Sequence, residues 1–240
     1  MKLHSALSAQ YPHKAELHTH TKPCSRCGQV PPEEVVEKYL AIGCSSLAIT
    51  NHLLSEVYSQ GDPHELAEQY LADYYAAKKA AEGTDLSVLL GVEIRFSENG
   101  NDYLIYGIEP ADVERMIPML NSGIEAFYRA FKNDRNLIIQ AHPFRKNMVL
   151  APLDSIDGVE SFNLHPFHNS RVALAAKYAK ENGLLVTGGT DYHDPTHEGL
   201  CLLRTAEKIH DSYELAEVLK SRDYLFDISD HLVIPPDVKD

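Results

Sequence analysis

Short apolar runs alternate along this chain with longer segments whose apolar positions recur every three or four residues, and that alternation carries the fold prediction. The runs Ser46–Thr50, Tyr103–Ile108, Leu137–Gln140, Gly158–Phe162 and Leu184–Thr187 read as strands. Leu86–Ile94 is a longer apolar run, interrupted only by Gly91 and Glu93, and reads as a strand buried on both faces. Glu16–Thr21 reads as the end of a first strand, and Leu200–Arg204 as a short late one. Between them lie helical segments. Pro31-Pro32-Glu33-Glu34 opens the first, because proline suits the first helical position and early carboxylates complement the positive end of the helix dipole. Val35, Val36, Tyr39, Leu40 and Ile42 form its apolar face, and Gly43 ends it. Leu66, Tyr70, Leu71, Tyr74 and Tyr75 predict a helix face within His64–Ala81. Ala111–Lys132 is predicted mostly helical across Pro118 and Gly123, Arg171–Asn182 closes at Gly183, and Ser212–Ser221 is the last helix. Strand then helix, with six or seven strands, predicts a parallel barrel or a doubly wound α/β sheet.

Composition narrows the class. A length of 240 residues with no internal repeat or interdomain linker is expected to form a single domain over 1–240. No apolar run approaches the roughly 18 residues that would span a bilayer, so no membrane partner is expected. Met1–Lys14 lacks a secretory pattern, which makes a cytoplasmic location the expectation. The formal net charge of −13 argues against nucleic acid, which needs clustered Lys and Arg to displace counterions from phosphates. Cys24, Cys27, Cys44 and Cys201 are expected as thiols. Cys24-Ser-Arg-Cys27 has zinc-finger spacing, but no second such pair exists to complete four ligands, so a loop thiol pair is the expectation.

The candidate chemistry emerges when polar residues are placed on this map. His18 and His20 alternate on an extended strand and therefore project to one face, where two imidazoles can meet one ion. His52, Glu93, His142, and Asp191 with His193 also fall at the C-terminal ends of predicted strands or just beyond. In a (β/α) barrel that is the face on which active sites are built. Glu93 is conspicuous, since a carboxylate inside an apolar strand needs a cation, a metal or strong donors.

The ordered motifs Glu16-Leu17-His18-Thr19-His20-Thr21, Ile49-Thr50-Asn51-His52, Gly91-Val92-Glu93, Ala141-His142-Pro143 and Gly189-Thr190-Asp191-Tyr192-His193 resemble those of the polymerase and histidinol phosphatase (PHP) family of metal-dependent phosphoesterases. The resemblance covers nearly the whole chain. It implies a distorted seven-stranded, TIM-like (β/α) barrel holding two or three divalent ions, commonly Zn, Mn or Fe. It would give one ion to His18, His20, Glu93 and Asp191, a second to Glu93 and His142, and a third to His52 and His193. The family's second motif usually reads Thr-Asp-His, whereas Asn51 stands here and removes a charge near the third ion. A further loop histidine of trinuclear members is replaced by a segment offering Cys24, Arg26 and Cys27, and the histidine after the fourth strand by Asp102 or Glu109. His165 is a further candidate ligand outside the main set, and His64, His168 and His197 read as surface residues. The implied reaction is hydrolysis of a small phosphorylated substrate by a hydroxide bridging two ions that share Glu93. Arg145, three residues after His142, is the expected phosphate-binding group, ahead of Arg26 and Arg95. The same ions could hydrolyse another bond such as an amide, and a non-catalytic metal-binding or regulatory domain is the reading from another class.

Overall fold

A computed structural model describes residues 3–235. Helix α1 (Leu3–Gln10) precedes strand β1 (His13–Glu16), helix α2 (Pro32–Ala41) and strand β2 (Ser46–Ile49). Pro32 starts α2 with Glu33 and Glu34 in its first turn, and Val35, Val36 and Tyr39 are buried as the pattern predicts. A short strand β3 (His52–Leu54) follows, then α3 (Ser55–Tyr58) and α4 (Pro63–Ala80), whose N-terminus is capped by the Asp62 carboxylate accepting the His64 and Glu65 amides. The α4 face is narrower than its sequence suggests, because Tyr75 remains half exposed while Tyr70, Leu71 and Tyr74 are buried. Two strands, β4 (Ser87–Leu90) and β5 (Val92–Arg95), replace the single predicted run and are separated by Gly91.

Strand β6 (Tyr103–Tyr106) is followed by α5 (Pro110–Met116) and α6 (Ile124–Phe131). These two replace one predicted helix over Ala111–Lys132: Pro118 lies in a 3-10 turn, and Gly123 adopts φ +76°, which an L side chain rarely adopts. The chain continues through β7 (Leu137–Gln140), β8 (Gly158–Asn163), α7 (Val172–Asn182), β9 (Leu185–Gly189), β10 (Cys201–Thr205) and α8 (Ser212–Ser221) to a hairpin of β11 (Leu225–Ile228) and β12 (His231–Val233).

The strands form two six-stranded sheets, ordered β12-β11-β10-β1-β2-β4 and β3-β5-β6-β7-β8-β9. The sheet pairing is mixed, which corrects the expectation of parallel strands throughout. β1, β2 and β4 are mutually parallel, as are β7, β8 and β9, but β6 runs antiparallel to both β5 and β7. Residues 96–102 are all that join β5 to β6, too short for the crossover of about a dozen residues that parallel strands need. The two sheets touch beyond the end of β1, where Thr19 bridges Tyr192 in parallel fashion and Tyr192 accepts the His20 amide at 2.9 Å. The helices cover a contiguous apolar core in which Tyr39, Leu47, Leu53, Phe127 and Val186 have no measurable exposure. Among the described residues no helix is long and apolar enough to cross a membrane.

Candidate metal centre

The parallel strands deliver their following residues to one rim. His18 and His20 lie just after β1, His52 just after β2, Glu93 just after β4, His142 just after β7, and Asp191 and His193 just after β9. All seven predicted residues converge there. His52, Glu93, His142, Asp191 and His193 line a cleft of about 340 Å³, while His18 and His20 are fully buried against Glu93 and Asp191.

Hydrogen bonds fix how the first two imidazoles face. His18 Nδ1 lies 2.8 Å from Glu160 Oε1, a carboxylate oxygen that can only accept, so Nδ1 carries the proton. His20 Nδ1 lies 3.1 Å from Ser25 Oγ, whose own proton goes to Asn51 Oδ1 at 2.8 Å, so this Nδ1 also donates. In the neutral rings both Nε2 lone pairs therefore point inward, only 3.1 Å apart. Asp191 Oδ1 is 3.4 Å from each, and Glu93 supplies Oε1 at 3.3 Å from His18 and Oε2 at 3.2 Å from His20. Five acceptor atoms from four side chains at such spacing repel one another unless a cation sits among them. Two ligands at about 2.1 Å from a tetrahedral ion are themselves about 3.4 Å apart, which matches.

Glu93 holds the centre together. Its Oε1 also lies 3.2 Å from His142 Nε2, and its Oε2 lies 2.9 Å from His52 Nδ1, so each oxygen stands between two imidazoles. His52 Nδ1 and Glu93 Oε2 are close yet misaligned for a hydrogen bond, and both count among the buried polar atoms with no partner. An imidazole nitrogen and a carboxylate oxygen left without a hydrogen-bond partner in one buried space are a donor set that fits a metal. The electrostatics agree. Burial alone would depress the His18 and His52 imidazoles, but Glu160, Asp191 and Glu93 around the first, and Glu93 beside the second, raise both well above the ordinary range. Burial would raise the carboxyls of Glu93 and Asp191, yet the surrounding histidines hold both well below the ordinary carboxylate range. His193 is pushed down to about 3 by burial and by neighbouring His20, so it stands as a neutral ligand-type imidazole.

The surrounding groups orient these atoms. Glu160 belongs to none of the motifs but carries the same signal as Glu93, an acidic residue within an apolar strand; its Oε2 accepts the His142 amide at 3.1 Å and the Asn163 side-chain amide at 2.9 Å. Arg145 Nη2 reaches Asp191 Oδ2 and Asn163 Oδ1, leaving Asp191 Oδ1 turned toward the histidines. The predicted phosphate-binding guanidinium is thus in the cleft wall, tied to a ligand-type carboxylate. His142 and Asp191 both adopt left-handed backbone, φ 30° and 56°, at a cost of roughly 1–3 kcal/mol each. Such outliers persist where the surroundings over-determine a functional geometry.

The alternatives left open by sequence are resolved by position. Asp102, just before β6, is buried on the rim 3.8 Å from His142 Nε2 and bound by Arg95, whereas Glu109, just after β6, sits at the start of α5 away from it. Because β6 runs the other way, its beginning opens on the rim and its end does not. Asn51 faces the loop of Thr21 and Ser25 and not the cleft. His64 and His168 are exposed as expected, His168 at the mouth of the cleft, while His197 is partly buried there beside His165. Cys24 and Cys27 do not act as a pair: Cys24 Sγ approaches Tyr58 Oη and the Tyr70 carbonyl, while Cys27 Sγ lies 3.1 Å from His193 Nε2. Among the described residues, three donor groups, each within 4.8 Å internally, could hold an ion: His18, His20 and Asp191; His52, Glu93 and Asp102; and His20, Cys27, His52 and His193.

Comparison with known proteins bears on the fold and on the family. No curated protein matched the sequence. Among solved structures, a two-domain protein from Bacteroides vulgatus, described as containing a predicted PHP-like metal-dependent phosphoesterase, is 16% identical with a TM-score of 0.66. The alignment covers 92% of this chain and 66% of that one, so this chain spans just under two thirds of that relative. PsfC from Pseudomonas syringae is 12% identical with a TM-score of 0.61, covering 87% and 95% of the two chains. An amidohydrolase from Chromobacterium violaceum, with bound sulfate and no metal, is 15% identical with a TM-score of 0.51 over 86% and 96%. At these identities the likeness concerns the fold alone. The model of the PHP domain, however, matches residues 16–231, a span that contains every residue of the cluster from His18 to His193, and the chain belongs to that family.

Proposed function

We propose that this chain is a metal-dependent phosphoesterase that hydrolyses a small phosphoester. The observation that carries the reading is the convergence of His18 Nε2, His20 Nε2, Asp191 Oδ1 and both Glu93 oxygens, with separations of 3.1–3.4 Å and every outward-facing imidazole nitrogen of His18 and His20 already committed. In this reading His18, His20, Glu93 and Asp191 hold one ion, Glu93 shares a second with His142 and Asp102, and His52 and His193 serve a third. The two sheets, joined through Gly91 and the Thr19–Tyr192 bridge, are read as one distorted seven-stranded (β/α) barrel domain.

When bound, divalent ions of the Zn, Mn or Fe kind make a water acidic enough to ionise near neutral pH and offset phosphoryl charge. The chain's own residues do the rest. Glu93 sets the spacing of the centre, since each of its oxygens faces two imidazoles. Glu160 and Ser25 hold the proton of each Nδ1 and so keep the inward nitrogens free. Arg145 presents a guanidinium at the cleft wall, where a phosphoryl oxygen can be met by charge-assisted hydrogen bonds. A cleft of about 340 Å³ suits a small substrate.

The test compares wild type and Glu93→Gln, loaded with Zn or Mn, on a panel of phosphomonoesters, phosphodiesters and amides. Phosphoester turnover in wild type, with loss in the folded variant, is the expected result. Unchanged turnover in Glu93→Gln would refute the assignment of that carboxylate, and turnover of amides alone would shift the reading to the hydrolysis named for the Chromobacterium relative.

A further inference from the structure

We infer that Cys27 is a thiolate ligand of an ion it shares with His52 and His193, so that one of the metal positions of this chain is a sulfur-bearing one. The inference rests on the metal-dependent reading above and adds a residue to it.

The position of the thiol is set by backbone. The Cys27 segment is folded back by hydrogen bonds from Lys22 N to Val30 O, Ser25 N to Thr21 O and Gly28 N to Ser25 O. It is fastened to the loop after β9 by Gln29 N donating to His193 O at 2.9 Å. That last bond places Cys27 Sγ 3.1 Å from His193 Nε2. The other nitrogen of the same ring, Nδ1, donates to the Asp191 carbonyl at 2.8 Å, which leaves Nε2 as a lone pair aimed at sulfur. Bonds of about 2.3 Å to sulfur and about 2.1 Å to nitrogen can span that gap around one ion. His52 and His20 complete a four-residue group whose donor atoms all lie within 4.8 Å of one another. His20 Nε2 is already directed at Glu93 and Asp191, so Cys27, His52 and His193, all of which line the cleft, are the three ligands left to this ion.

The chemistry of this ligand set differs from that around Glu93. Thiolate with imidazole favours zinc or ferrous iron, whereas carboxylate-rich positions also accept manganese. The remaining cysteines offer no substitute. Cys44 and Cys201 are buried in the core, and Cys24 is engaged with Tyr58 and Tyr70.

The experiment strips the full-length protein with chelator and reloads it with Co(II) under anaerobic conditions. Wild type is expected to show a sulfur-to-cobalt charge-transfer band in the near ultraviolet, and Cys27→Ser to lose it while binding one ion fewer per chain. Cys27→His should restore the ion count without the band. In a second measurement on unmutated protein, iodoacetamide labelling of Cys27, read by peptide mass, should slow at least about ten-fold on adding Zn(II), because a bound thiolate is no longer a free nucleophile. Ions bound to wild type with no such band and no protection would overturn the inference and leave the Glu93-centred reading intact. Less than one ion per chain in both wild type and Cys27→Ser would overturn both.

Discussion

Glu160 gives the sharpest test of how the centre is organised, because it touches no substrate and lies behind His18. Its two oxygens have different duties: Oε1 accepts from His18 Nδ1 at 2.8 Å, and Oε2 accepts from the His142 amide and Asn163 Nδ2 at 3.1 and 2.9 Å. The Asn163 orientation is fixed, since its Oδ1 accepts from Arg145 and Ser170. Glu160→Gln keeps the shape but replaces one acceptor by an amino group. Turned one way, that group meets the His18 Nδ1 proton; turned the other, it meets two donors at once. Either choice loses a charge-assisted bond and strands a buried donor, each worth roughly 1.5–3 and 1–3 kcal/mol. The cheaper escape is for His18 to change tautomer, which puts its proton on Nε2 and blocks the ligand position. Metal affinity at the His18–His20 position should therefore fall by about 10–100-fold, the usual effect of removing such a partner. Competition against a chromophoric chelator measures it, with circular dichroism to check the fold. A folded variant that binds metal as tightly as wild type would refute the tautomer argument.

Packing and pH supply two further tests. A Cβ at Gly189 would lie 2.6 Å from His18 Cβ and 3.1 Å from Glu16 Oε1, so Gly189→Ala should lose about 1–3 kcal/mol in denaturant unfolding and weaken metal binding together; a neutral effect on both would mean that β9 and the His18 strand are not tightly apposed. His18 and His52 are raised above the ordinary imidazole range, so in metal-free protein their pairing with carboxylates stabilises fully below the unfolded value near 6.5 and is lost as pH rises through the folded values. Metal must displace those protons. Loading should release protons, measured by calorimetry in buffers of differing ionisation enthalpy, and the melting-temperature gain on adding metal should widen as pH rises; no proton release would contradict the pairing.

What the sequence made legible follows from where the physical signal is local. His18, His20, His52, His142 and His193 could be placed on one rim because apolar runs mark strands and each histidine follows one. Glu93 was found by its cost in an apolar strand, and the identical signal at Glu160 was available in Gly158-Val159-Glu160-Ser161-Phe162 but attached to no motif. Helix α1 has no buried residue and so leaves no periodic pattern; it is held by backbone, as where Arg204 donates to the Ser8 carbonyl. The β11–β12 hairpin left little signal, because the turn between its strands is made left-handed by Ser229 and Asp230 without the glycine or asparagine that usually marks such a turn. The direction of β6 was less visible. It depends on the shortness of residues 96–102, and it decides that Asp102 and not Glu109 reaches His142.

By sequence alone, Asn51 is a missing charge beside the expected third ion. In the fold its side chain is buried, with Oδ1 accepting from the Thr21 amide and Ser25 hydroxyl at 2.8 Å each and Nδ2 donating to Thr21 Oγ1 at 2.7 Å. The Thr21 hydroxyl has already given its proton to Asp73 Oδ2 at 2.8 Å, so it can only accept. An aspartate at position 51 would set a second acceptor against it. The amide is therefore what this network requires, and its effect on the metal centre is indirect. Through Ser25, which accepts from His20 Nδ1 and from the His52 amide, Asn51 fixes a ligand-type tautomer and the start of the Cys27 loop at once. The amide at position 51 and the thiol beside His193 are thus linked through one loop, whose amide and hydroxyl hydrogen bonds hold its start while its far side brings Cys27 Sγ to 3.1 Å from His193 Nε2.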